Sequence, residues 1–110
     1  MSNLIYTKNH NVPKLFSKIT EWAKDRNLIK GSKPKDQCLK LIQEVGELSD
    51  SLCKGKSPID DIGDCMVVLT IIAEQNDLTV QQCLDHAYND IKHRKGQMID
   101  GVFVKGSDLK

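Results

Sequence analysis

Nine consecutive residues, Cys65-Met66-Val67-Val68-Leu69-Thr70-Ile71-Ile72-Ala73, carry no charge. Wound as a helix at roughly 100 degrees per residue, they present apolar side chains around nearly the whole circumference. A bilayer span needs roughly 20 such residues, so the run is too short to cross a membrane and reads as a helix inside a core. A helix of that kind must be covered on every side. The chain has 110 residues, the size of one domain, and we expect a single domain over residues 1–110. The few other helices such a chain can supply hardly suffice as cover, so self-association is expected.

Proline and glycine divide the rest. Pro13, Pro34 and Pro58 each open a periodic segment, where the missing N–H costs nothing because the first helical turn has no acceptor for it. The first helix is predicted over Pro13 to Leu28, with Leu15, Phe16, Ile19, Trp22 and Ala23 as its apolar stripe. The second runs from Pro34 to Cys53, with Cys38, Leu41, Ile42, Val45, Leu48 and Leu52 on one side, and ends at Lys54-Gly55-Lys56. Ser57 and Asp60 form a capping box for the third helix, and Thr79 and Gln82 form one for a fourth over Val80 to Lys95, closed by Gly96. Gly101 to Lys105 is a short β-like tail. The expected fold is therefore all-α, a four-helix bundle with a C-terminal β-like tail, assembled as an oligomer.

A formal net charge of +1 argues against a basic nucleic-acid-binding surface, and no polymer partner is expected. The four cysteines, Cys38, Cys53, Cys65 and Cys83, have no C-x-x-C spacing and fall within apolar helical patterns. They read as reduced core residues, which implies a reducing compartment. The N-terminal stretch MSNLIYTKNHN lacks the apolar core of a signal peptide. We expect a cytoplasmic protein without a membrane partner.

The chemistry concentrates in two short units, Glu44-Val45-Gly46-Glu47 and Asp61-Ile62-Gly63-Asp64. Acids three apart are neighbours on a helix, and both pairs fall beside an apolar stripe. Like charges converging across a desolvated gap repel strongly, and a hard divalent cation with oxygen ligands removes that repulsion. Zinc would want His and Cys at ligand spacing, which the chain lacks. An interior helix glycine costs about 1 kcal/mol relative to alanine, so Gly46 and Gly63 are expected where two backbones approach closely. The competing reading is that both pairs are solvated helix faces, with the Asp61 pair partly explained by the helix dipole.

Lys40-Leu41-Ile42-Gln43-Glu44-Val45-Gly46-Glu47-Leu48, then Asp61-Ile62-Gly63-Asp64 before an apolar helix, then Ala87-Tyr88-Asn89-Asp90-Ile91-Lys92-His93-Arg94-Lys95-Gly96, resemble the MazG-type branch of the all-α nucleoside triphosphate pyrophosphohydrolases. The small single-domain phage and bacterial members are the most similar, and the resemblance spans about Ile19 to Lys105. E-x-x-E followed by E-x-x-D is that family's signature. Asp61 departs from it, standing where the family usually has Glu.

The resemblance implies Mg²⁺-dependent hydrolysis of a (deoxy)nucleoside triphosphate to a monophosphate and pyrophosphate, with Mn²⁺ as a substitute ion. Such activity serves nucleotide-pool control or housecleaning. It also implies a homodimer or homotetramer. Glu44, Glu47, Asp61 and Asp64 become the metal-binding and catalytic set, and Asn89, Lys92 and Lys95 match the nucleotide-contacting positions of the last helix. Lys54, at the end of the second helix, is a further phosphate partner, although lysines near a helix C-terminus are favoured by the dipole in any case. Trp22, the sole tryptophan, reads as a core residue or, by the family's use of a first-helix aromatic, as a base-stacking one. The alternative is a non-catalytic helical binding or assembly module with a solvated acidic face.

Overall fold

A computed structural model describes residues 11–109. The N-terminal stretch read above for the absence of a signal peptide lies, up to residue 10, outside the described residues. Four helices follow one another: α1 (Val12–Asp25), α2 (Pro34–Cys53), α3 (Ile59–Gln75) and α4 (Val80–Ile91). Two short strands, β1 (Gly96–Ile99) and β2 (Val102–Lys105), and a 3-10 turn over Gly106–Asp108 complete the chain. The fold is mostly helical, as expected. Among the described residues no helix is long and apolar enough to cross a membrane.

Helix starts and stops follow from local chemistry. Asn11 caps α1, its Oδ1 accepting the Lys14 N–H at 3.1 Å. The cap of α3 is Pro58, without a side-chain cap bond, so the capping box expected of Ser57 and Asp60 is not formed; the Ser57 hydroxyl accepts only the Ile59 N–H, at 3.4 Å. The first three helices end alike. In each, a residue with positive φ (Asn27 at 56°, Gly55 at 68°, Asp77 at 58°) carries the chain off the axis. The following N–H then bonds a carbonyl five residues back: Leu28 to Ala23, Lys56 to Ser51, Leu78 to Ala73, each at 2.9 Å. This closure stops α1 at Asp25, short of the Leu28 expected from the apolar pattern.

The described residues divide into two compact units, one up to Val80 and one from Gln81. In the first, α3 packs chiefly on α2 and also on α1. The core is Ala23 of α1 with Val68, Ile71 and Ala73 of α3 and Val80. Gln75 Nε2 donates to Ile29 O, Ser32 O and Ser32 Oγ at 3.0 to 3.1 Å, fastening the α1–α2 connection to the end of α3. Leu69 is 41% exposed, so the apolar run that demands all-round cover is left open on one side within the described chain.

The second unit corrects the tail. The fourth helix ends at Ile91, not Lys95, and Gly96 opens β1 where a helix-closing glycine was expected. β1 and β2 are antiparallel, with Gly96 opposite Lys105 and Ile99 opposite Val102. The two intervening residues, Asp100 (φ 50°) and Gly101 (φ 81°), both lie in the left-handed region that a tight hairpin turn requires. A Cβ on Gly96 would collide with the Val104 carbonyl and the Phe103 ring, so this glycine, like Gly31 against the Asn27 carbonyl, serves a close approach.

Candidate carboxylate site

Helix α2 turns a different face to α3 than its apolar pattern predicts. The less exposed positions are Gln37, Leu41, Glu44, Leu48 and Ser51, with Glu44 at the centre and only 5% exposed. Ile42, Val45 and Leu52, expected inside, are 63%, 49% and 59% exposed. The carboxylate thus occupies the inter-helix position that an aliphatic side chain would ordinarily fill.

Glu44 has one cation. Lys40 Nζ, one turn earlier, lies 3.1 Å from its Oε1. Oε2 is buried and has no hydrogen-bond donor. Glu47 from the next turn of α2 and Asp64 from α3 stand close enough to share a proton with it, but as ionised carboxylates they offer none. Buried acceptors without a donor are costly and rare in folded proteins.

The titration of the cluster records this crowding. Lys40 beside Glu44, and then Glu47, hold the Glu44 carboxyl below its ordinary value against the opposing effect of burial. Glu47 moves the other way, raised first by the proton it would share with Glu44 and then by the charges of Glu44 and Asp61. Asp64 is raised by burial and by the charges of Glu44, Asp60 and Asp61. Burial and the same acids raise the Cys65 thiol. Two carboxylates shifted in opposite directions behave as a coupled pair that retains a proton longer than either would alone.

All four acids singled out in the sequence therefore belong to one electrostatic cluster across the α2–α3 contact. Among the described residues, however, no three His, Cys, Asp or Glu side chains are gathered tightly enough to hold a metal ion. The donor chemistry suits a hard dication nonetheless: the acids supply only carboxylate oxygens from two helices, and Glu44 Oε2 lacks any partner. The side chains would have to close together for a common coordination sphere.

Gly46 and Gly63 do not serve the close approach expected of them. A Cβ at either would meet nothing within 4 Å, and Gly63 borders open space on the side of α3 that faces α1. Beside Asp64 a cavity of about 410 Å³ opens between α1 and α3, lined mainly by apolar side chains including Phe16, Ile19, Ile59 and Met66. Trp22 is not a core residue in the described chain. It is 43% exposed and lies under the Arg26 guanidinium, 4.7 Å from the ring centroid. Lys54 is paired with Asp50 at 2.9 Å at the exposed end of α2.

In the second unit Lys92 Nζ donates to Asn89 Oδ1 at 3.2 Å. Lys95 borders a cavity of about 490 Å³ together with His93, Lys105, Ser107 and Arg94, the last bound to Asp90 at 2.9 Å. Cys38, Cys53 and Cys83 are exposed and Cys65 is half-buried, so the expected core role is not seen. Sequence reasoning passed over Lys40 as a partner of Glu44. The i,i+4 spacing of the two was the signal available for it.

No protein-family model matches the chain, and no solved structure matches it. Over 68 residues it is 44% identical to an uncharacterized 18.2 kDa protein from the rep–hol intergenic region of Haemophilus phage HP1, a match covering 60% of this chain and 42% of that protein. The chain is thus similar to a phage protein of which it spans well under half.

Proposed function

We propose that the protein is a MazG-like, Mg²⁺-dependent nucleoside triphosphate pyrophosphohydrolase. It would cleave a (deoxy)nucleoside triphosphate between the α and β phosphates, for nucleotide-pool control or housecleaning. The observation that carries this reading is Glu44: a carboxylate 5% exposed, with an oxygen lacking any donor, facing further acids from a second helix. Such an arrangement is unfavourable for the metal-free fold and favourable for a hard cation.

Glu44, Glu47, Asp61 and Asp64 would hold the ion, with Mn²⁺ as a substitute. When bound, Mg²⁺ supplies the charge that neutralises the triphosphate and makes a bound water more acidic. Glu47 carries the raised carboxyl of the coupled pair and is assigned as the group that accepts the proton of the attacking water. Asp61, shorter than the glutamate usual in the family at that position, contributes through its charge on Glu47 and Asp64. The apolar cavity beside Asp64 supports a base-binding role for the α1–α3 groove. Asn89, Lys92, Lys95 and Lys54 are assigned to the phosphates and Trp22 to the base. The setting proposed is cytoplasmic.

The same reading has the four helices closing into one bundle within a single domain that assembles as a homodimer or homotetramer. The exposed stripe of Leu39, Ile42, Val45 and Leu52 on α2 supports such assembly. That stripe equally favours a second reading, a non-catalytic helical assembly module. Replacing each acid by its amide and following pyrophosphate release at saturating Mg²⁺ separates the two: the enzyme loses activity at Glu44 and Glu47, whereas an assembly module has none to lose.

A further inference from the structure

Glu44 and Lys40 form an unequal pair. The Glu44 side chain is 7% exposed and that of Lys40 is 50% exposed. The buried carboxylate is thus balanced by a cation whose stem runs out to water, bound through Oε1 alone at 3.1 Å. Among the described residues the other ion pairs are Lys54 with Asp50 and Arg94 with Asp90, so none of the remaining acids of the cluster has a cation of its own.

Resting on the metal-dependent reading above, we infer that Lys40 is an exchangeable counter-ion. It holds the carboxylate cluster together while no dication is present and gives up Glu44 when one binds. Lysine suits this task better than arginine. Its ammonium is a compact, strongly hydrated point charge on a flexible stem, and it returns to water at small cost, whereas a guanidinium would bind both carboxylate oxygens and stay. The unpartnered Oε2 is the Glu44 oxygen that would be open to a dication without displacing the lysine.

Exchange has a consequence that an ordinary helix-surface pair lacks. Removing the lysine charge weakens the metal-free fold, because the buried carboxylate loses its partner. It strengthens dication binding, because a positive charge no longer opposes the ion. The two effects have opposite sign.

The test uses the full chain without nucleotide at pH 8. Thermal unfolding is followed in EDTA, and Mg²⁺ binding is followed by calorimetry, for the wild type, Lys40→Met, Lys40→Gln and Lys40→Arg. Lys40→Gln retains a hydrogen-bond donor without the charge and guards against a variant that fails to fold. Lys40→Met and Lys40→Gln are expected to melt lower in EDTA yet bind Mg²⁺ roughly fivefold tighter or more. Lys40→Arg keeps the melting temperature and binds no tighter than wild type. Neutral variants that bind Mg²⁺ equally or more weakly overturn the exchange alone, because the lysine then merely supports the site. A wild-type chain that takes up no Mg²⁺ overturns the proposed function as well.

Discussion

Replacing Gly46 and Gly63 by alanine should stabilise the protein. Each lies inside a helix, Gly46 in α2 and Gly63 in α3, and at each an added Cβ meets no atom within 4 Å. With no clash to subtract, the change reduces to intrinsic helix preference, about 1 kcal/mol in favour of alanine. A chain of 110 residues has an unfolding entropy at its midpoint of roughly 0.23 kcal/mol per kelvin, so each substitution raises Tm by roughly 4 °C. The double variant should gain roughly 8 °C if the two sites act independently. Differential scanning calorimetry at low protein concentration, in EDTA and with Mg²⁺, measures this. A lower Tm for either variant would refute the reasoning, because the glycine would then be facing another backbone after all.

The carboxylate cluster gives a pH signature. Glu47 and Asp64 titrate higher in the folded chain than their ordinary values of 4.5 and 3.8, so the fold takes up extra protons between those values and the raised ones. Stability in EDTA should therefore fall as pH rises through that window, and Glu47→Gln should flatten the fall. Glu44 acts oppositely: its lowered carboxyl contributes stability above its ordinary value of 4.5 that is lost as pH drops through the lowered one. Mg²⁺ should raise the melting temperature of the wild type more at pH 8 than at pH 5, where protons compete for the same oxygens; an equal shift at both would count against the acids as ligands. Trp22→Ala should cost about 1 to 2 kcal/mol in urea unfolding, less than the 3 to 5 kcal/mol of a buried aromatic, because the ring is 43% exposed.

Most helical boundaries were legible in the sequence because they depend on local chemistry. Pro34 and Lys54-Gly55-Lys56 delimit α2 as read, since proline is suited to a first turn and glycine to the left-handed residue that closes the last. Helix α1 ends earlier than its apolar stripe because Asn27 adopts that same conformation, a stop that hydrophobic periodicity does not signal. The hairpin was missed although Asp100-Gly101, two residues between apolar strands, is a strong turn signal. With the fourth helix read to Lys95 and the β-like piece only from Gly101, the segment before the turn is not recognised as the partner strand. The clustering of Glu44, Glu47, Asp61 and Asp64 was legible from spacing, but the burial of Glu44 was not. Helix α2 carries apolar side chains on more than one face, and the one that meets α3 is set by packing between helices that periodicity in a single segment does not encode. The inward turn of a carboxylate, with a lysine one turn away, emerges only when the two helices are placed together.

The central claim is that the cluster serves triphosphate cleavage, and product analysis tests it most directly. Canonical and modified nucleoside triphosphates are incubated with the protein and Mg²⁺, and phosphorus NMR resolves the products. The account predicts pyrophosphate and the nucleoside monophosphate as primary products, abolished by Glu44→Gln. Orthophosphate with a nucleoside diphosphate as the primary products, or no turnover of any triphosphate, would contradict it.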